Sequence, residues 1–276
     1  MLRWLDTWRK WTTTAEEWPA PKGVISTTTR VLLTLAGFGL FILAWEGLVR
    51  WQQYPPYILP SPAHVWHKFL IALADGTLWR HTRVTLLEIS GGLGLGLLVA
   101  TVLGYLLAKC PILEQLVGPY VVAAQAVPVV AIAPLIILWA GSGLLSKVLV
   151  AALTLFFPVL VNTMVGFRSV EQELMDLMRV LNASRWQIFT KLEIPAALPI
   201  LFGGLKIGTA LSVIGAVVGE FVAADQGLGF LINLTSRGTL DTALLFVTLG
   251  VLVVIAVALY TFVGWLERRV ITWEGD

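Results

Sequence analysis

Charge is scarce in this chain. Asp, Glu, Lys and Arg make up 13% of its 276 residues, about half the share in an average soluble domain. That deficit excludes a disordered polymer and an ordinary cytosolic enzyme. The balance is also even, 19 Lys and Arg against 17 Asp and Glu, so no basic face offers itself to nucleic acid. The single cysteine, Cys110, excludes an internal disulfide framework and a cysteine-cluster metal site. His64 and His67 stand at i, i+3 without a third ligand on the same helix, and read as exposed imidazoles rather than a metal centre. No G-x-x-x-x-G-K-[ST] run is present, so the chain has no P-loop to cradle a nucleotide. Neither a Ser/His/Asp set nor a paired-carboxylate constellation falls within the apolar stretches, so no hydrolytic chemistry is indicated. What is abundant is hydrophobic surface, 57% of the residues. The composition reads as an integral membrane protein.

The positions of the few charges divide the chain. A spanning helix needs about 20 apolar residues. Twenty uncharged residues separate Glu88 from Lys109, 32 separate Glu114 from Lys147, 20 separate Lys147 from Arg168, and 25 separate Asp241 from Glu267. With a first span before Arg50 and another interrupted by Lys206, the pattern predicts an all-α, polytopic protein of six transmembrane helices. Their expected limits are about 31–49, 84–108, 116–140, 147–167, 196–219 and 242–266, within a transmembrane domain over 31–267. The 32-residue stretch is read as one helix followed by a turn at Gly141-Ser142-Gly143. Six spans put both termini on one side. Assigning that side to the cytoplasm places 12 Lys and Arg inside and six outside, in keeping with the positive-inside tendency.

Residues 1–30 read as a cytoplasmic N-terminal segment. Trp4, Trp8 and Trp11 share one helical face beside Arg3, Arg9 and Lys10, as an interfacial anchor would, and a linker follows. No cleavable signal peptide is evident. Residues 268–276 form a cytoplasmic tail. In the outer loop after span one, Ser61 and Pro62 signal the start of a short helix that ends near Gly76.

One cytoplasmic stretch, 168–195, is not loop-like. Val170, Leu174, Leu177, Met178 and Leu181 recur at helical spacing, and Trp186, Phe189 and Leu192 begin a second amphipathic run. Asn182 stands between the runs and tolerates the left-handed conformation that ends a helix. A helix–turn–helix with two apolar faces, lying under the membrane, is built to dock against something.

Asp176-Leu177-Met178, three residues, Asn182, nine residues, Leu192, one residue and Ile194-Pro195 keep the spacing of the "EAA" motif. That motif belongs to permease subunits of ABC importers. Here Asp replaces its Glu, Leu-Met its Ala-Ala and Asn its Gly. Further patterns resemble the nitrate/sulfonate/taurine-type permeases, across almost the whole chain. They are Ile58-Leu59-Pro60-Ser61-Pro62, Val127-Pro128, Pro134-Leu135, Leu138-Trp139, Gly141-Ser142-Gly143, Ser184-Arg185-Trp186-Gln187-Ile188-Phe189, and Glu220 followed by Gly227-Leu228-Gly229. The resemblance implies the type I ABC importer permease fold in a bacterial or archaeal cytoplasmic membrane. It implies a coupling helix at about Asp176–Phe189, so that Asp176, Leu177, Met178, Asn182, Ala183, Ser184, Arg185, Trp186, Phe189 and Pro195 serve a separate ATPase subunit. ATP and magnesium belong to that subunit; this chain binds no cofactor and is not itself an enzyme. The further partners implied are an extracytoplasmic solute-binding protein and a second permease copy. The implied solute is small: an anion such as nitrate, a sulfonate, taurine or bicarbonate, or a vitamin or precursor such as riboflavin or a thiamine pyrimidine.

Polar groups and kinks within spans mark candidate pathway residues. These are Gln125, Pro128, Pro134, Lys206 and Glu220. The plainer reading of Lys206 is an ammonium that snorkels to the headgroups or pairs within the bundle. For Glu220 it is a structural pair with an arginine. Glycines in spans two and five read mostly as packing positions. The rival function is an ion-coupled secondary transporter, against which stands the lack of an internal repeat.

Overall fold

The computed structural model describes residues 27–272, so the Trp4–Trp11 anchor lies outside the described residues. Internal contacts divide the chain into two units, Met1–Gln53 and Tyr54–Asp276. Of the first, the described part is one helix, α1 (Thr27–Gln52), whose Arg50 bonds Glu46 one turn back at 2.7 Å.

The second unit begins with α2 (Pro62–Ala74). Ser61 caps it by accepting a hydrogen bond from the His64 amide at 3.2 Å, and Pro62 occupies the first turn, where a missing N–H is no loss. Gly76, at φ 78°, turns the chain into α3 (Thr77–Lys109), whose 33 residues extend about 50 Å. Then come α4 (Pro111–Gln125), α5 (Val129–Ala140), α6 (Leu144–Arg168), α7 (Gln172–Val180) and α8 (Arg185–Ile188). A π turn, Phe189–Glu193, leads into α9 (Ile194–Val222). After it come α10 (Leu228–Asn233), a second π turn and α11 (Thr242–Val270).

α6 is the central member, packed along α3 and along α9. The approach is close because glycine lines it. A Cβ on Gly104 would lie 2.9 Å from the Leu160 carbonyl oxygen, and one on Gly215 would lie 2.6 Å from the Ala151 Cα. Not every glycine serves this purpose, since Gly94 and Gly203 have nothing within 4 Å of that position. One apolar cluster gathers Ile89, Ala151, Val213, Ala216, Leu252 and Ile255 around Leu228 and Leu231; a second joins Ala100 and Leu107 to Leu155, Val159 and Leu160. Several buried hydroxyls are satisfied within their own helices, as where Thr163 and Thr248 each donate to the carbonyl four residues back at 2.8 Å. The outward faces are apolar, as lipid contact allows.

Among the described residues five helices are long and apolar enough to cross a membrane, and the count reaches six if α4 and α5 form one broken span. This is where the structure departs from the continuous helix expected over 116–140. α4 and α5 meet at a bend of 100°. Their 15 and 12 residues reach only about 22 and 18 Å, so neither crosses 30 Å of hydrocarbon alone. The cause is local. Pro128 offers no N–H to continue α4 and biases Val127 away from the helical region, and α5 restarts with Pro128 as its extended cap (φ −62°, ψ 126°).

Candidate functional site

The segment after α6 folds from its own sequence. α7 presents Leu174, Leu177, Val180 and Leu181 on an outward stripe, with Leu177 53% exposed, while Met175 and Met178 are half-buried. Asp176 is exposed and engaged within α7, accepting from Arg179 at 2.7 Å and from Gln172 at 3.2 Å. Asn182 takes φ 54°, and around it the chain closes as a Schellman turn. The Ala183 amide donates to the Met178 carbonyl and the Asn182 amide to the Arg179 carbonyl, each at 3.0 Å.

A second cap follows at once. Ser184 accepts from the Gln187 amide at 3.3 Å, and the Gln187 side chain accepts from the Ser184 amide at 2.7 Å. This reciprocal capping box starts α8. The helix–turn–helix expected from the sequence is present as two short helices joined by a turn locked on both sides, and the range Asp176–Phe189 spans that turn. Arg185 is exposed, and Trp186 is 70% exposed.

The far end of the segment is tied to the bundle. Phe189 is half-buried against Tyr105 of α3 at 5.3 Å between ring centroids, and Tyr105 meets Phe167 of α6 edge-on at 4.8 Å. Buried Glu193 accepts a 2.6 Å bond from Lys109, whose ammonium also lies 5.8 Å from the Tyr105 ring centroid. The π turn ends two residues before Pro195, which has no N–H for the helical ladder. At the end of α6, Arg168 bonds both oxygens of Glu114 at 2.6 and 2.5 Å.

The candidate pathway residues do not come together as one site. Gln125 ends α4, Pro128 caps α5 and Pro134 lies inside α5, all three exposed. Lys206 forms an ion pair with Glu267 of α11. Glu220 has no arginine partner among the described residues; it is 1% exposed and bonded to Thr85 and to the Gly229 amide. Sequence reasoning missed Tyr105, Thr85 and the Lys109–Glu193 pair. Their partners lie far along the chain, and no local pattern encodes such a meeting. Among the described residues no group of three His, Cys, Asp or Glu side chains is placed to hold a metal.

Just before α11, burial raises the Asp241 carboxyl, but the Lys68 ammonium at 2.6 Å, the Leu244 amide and His64 outweigh it and hold the group below its ordinary value.

A family model described as the binding-protein-dependent transport system inner membrane component matches residues 92–272. The chain is 51% identical over 237 residues to the riboflavin transport system permease protein RibX of Chloroflexus aurantiacus, covering 86% of this chain and 88% of that one. It is 37% identical to the formylaminopyrimidine transport permease protein ThiX of Halalkalibacterium halodurans, over 70% of this chain and 76% of that one. For the taurine transport system permease protein TauC of Escherichia coli the identity is 29%, over 90% and 91%. Among solved structures, an inward-facing form of the MetNI methionine ABC transporter aligns with a TM-score of 0.61 at 19% identity, covering 72% of this chain and 96% of that chain.

Proposed function

The chain belongs to the binding-protein-dependent transport system inner membrane components, and from that premise we propose how it is driven and what it carries. It is a multi-pass permease of an ABC transporter for a small solute. The family match overturns the rival reading as an ion-coupled secondary transporter.

The energy enters from a separate ATPase subunit that holds ATP and magnesium. Its docking element is α7–α8, with Asp176, Leu177, Met178, Asn182, Ala183, Ser184, Arg185, Trp186, Phe189 and Pro195 in the roles that the motif spacing suggests. The observation that carries this is the exposed stripe Leu174, Leu177, Val180 and Leu181 beside Trp186, mounted on a turn capped from both sides. Apolar side chains on a cytoplasmic element are stable when a partner covers them. A doubly capped turn passes on a rigid-body push rather than absorbing it. Two copies of the chain enclose the pathway, with both termini cytoplasmic and Gln125, Pro128 and Pro134 at or near the α4–α5 bend facing it. A solute-binding protein delivers the cargo at the opposite surface.

For the cargo we propose a flavin, the class named for the relative that is 51% identical over 86% of this chain. The interior is compatible with a ligand of low charge. Lys147 and Lys206, both in spanning helices, are each engaged by an internal oxygen, of Ser142 and of Glu267, and offer no free ammonium to an anion.

Two measurements test the reading. Leu177→Asp abolishes co-purification of the ATPase with the folded permease; retention of a stoichiometric ATPase would overturn the docking assignment. Cells dependent on external riboflavin take it up through the assembled transporter, and unlabelled taurine does not compete. Uptake of taurine without riboflavin would overturn the cargo.

A further inference from the structure

At the end of the bundle opposite α7, two carboxyl groups meet inside the protein. Glu88 of α3 and Glu220 of α9 are 2% and 1% exposed, and their side chains lie within reach of one another. Two ionised carboxylates have four acceptor oxygens and no donor, so a hydrogen bond between them requires a proton. Which residue carries it follows from the surrounding donors. The Thr85 hydroxyl donates to Glu220 Oε1 at 2.6 Å, and the amides of Gly229 and Phe230 also donate to Glu220. All of these point at Glu220. Glu88 Oε2 has no hydrogen-bond partner among the described residues.

The charges give the same assignment. The Lys147 ammonium, on a side chain 4% exposed, faces Glu88 from α6 while donating to the Ser142 carbonyl. His81, buried one turn before Thr85, accepts the Gly227 amide at Nδ1 at 2.9 Å, which an uncharged ring does. Two carboxylates against one ammonium would leave a net negative charge buried, which is costly. One proton brings the cluster to neutrality.

We propose that Glu88 holds a structural proton and donates it to the Glu220 carboxylate, and that this bond fastens the 227–229 loop onto α3 and α9. The loop is shaped for the contact. A Cβ on Gly229 would lie 2.7 Å from Glu220 Oε2, Gly227 stands at φ 116°, and the Leu228 amide donates to Thr85 Oγ1 at 2.8 Å. A cavity of about 360 Å³ bordered by Glu220, Phe230, Asn233 and Arg237 lies on the Glu220 side of the pair. The site is independent of the docking and cargo readings.

The assignment is asymmetric and so is its test. In Glu88→Gln the amide N–H replaces the acid O–H as donor; in Glu220→Gln an N–H is turned toward groups that themselves donate. The full-length chain in lipid nanodiscs is studied at neutral pH by infrared difference spectroscopy and thermal unfolding. The wild type shows the carbonyl stretch of a buried un-ionised carboxylic acid, and Glu88→Gln removes it. Glu88→Gln unfolds within about 2 °C of the wild type, whereas Glu220→Gln unfolds on the order of 5 °C lower. If Glu220→Gln does not fold, the band and the stability of Glu88→Gln decide. The proposal is overturned if the wild type lacks the band, if the band survives Glu88→Gln, or if Glu88→Gln is destabilised as strongly as Glu220→Gln.

Discussion

Lys109, the last residue of α3, donates a 2.6 Å hydrogen bond to Glu193, the last residue of the π turn before α9. The pair closes an 84-residue separation and joins the end of a 33-residue helix to the segment that carries the exposed stripe. Removing Glu193 leaves Lys109 a third exposed and able to reach water, so the loss is smaller than for a fully buried pair, about 1–2 kcal/mol. Glu193→Gln is expected to lower solute uptake more than ATPase activity in reconstituted vesicles. Exchanging the two charges, Lys109→Glu with Glu193→Lys, restores uptake in part. Equal loss in the single and exchanged variants would count against a transmitting role.

Asn182 adopts φ 54° inside a turn that its neighbours close by two backbone bonds. Valine at this position meets the steric penalty of left-handed backbone, about 1–2 kcal/mol. Glycine does not. Asn182→Val is expected to loosen hydrogen-exchange protection at 181–184 and to release ATPase activity from transport. Asn182→Gly keeps both near wild type. A normally transporting valine variant would sink this assignment.

Gly104 and Gly94 lie on the same helix and predict opposite outcomes. A Cβ at Gly104 meets Thr163 Cβ at 2.7 Å and the Leu160 carbonyl at 2.9 Å, whereas one at Gly94 meets nothing within 4 Å. Gly104→Val forces α3 away from α6 and is expected to lower stability by about 1–3 kcal/mol or more. Gly94→Ala raises helix propensity and is neutral or stabilising by up to ~1 kcal/mol. Thermal unfolding of the two purified variants distinguishes them.

Asp241 caps α11 through the Leu244 amide at 3.0 Å and pairs with Lys68. Its carboxyl is held below its ordinary value in the folded chain. A depressed carboxyl contributes stability above the unfolded value, near pH 4, and that contribution is lost as pH falls through the folded value. Asp241→Asn is expected to lower the melting temperature at neutral pH and to flatten its fall below about pH 4. An unchanged acid limb would contradict the assignment.

Much of the helical layout is legible in the sequence because a helix carries its own signals. Charges at Lys109 and Arg168 fall at the ends of α3 and α6, and Asp241 falls just before α11. The Asn182 turn is equally legible, since left-handed backbone and the following serine cap are properties of adjacent residues. Pro128 is visible as a kink but not as a 100° bend. A proline states only that the ladder is interrupted, and the angle is decided by what the two halves pack against. The meeting of Glu88 with Glu220 is not legible. Each stands alone in an apolar run, and only the packing of α3, α6 and α9 brings them together.

The length of α3 has a mechanical consequence. Lys109 and Glu88 are 21 positions apart on one unbroken helix, about 31 Å along its axis. The rod that is gripped at Glu193 on one surface therefore ends beside the loop at Gly227 on the other. α3 is continuous between those two points, so an axial displacement imposed at the first would reach the second without passing through a hinge.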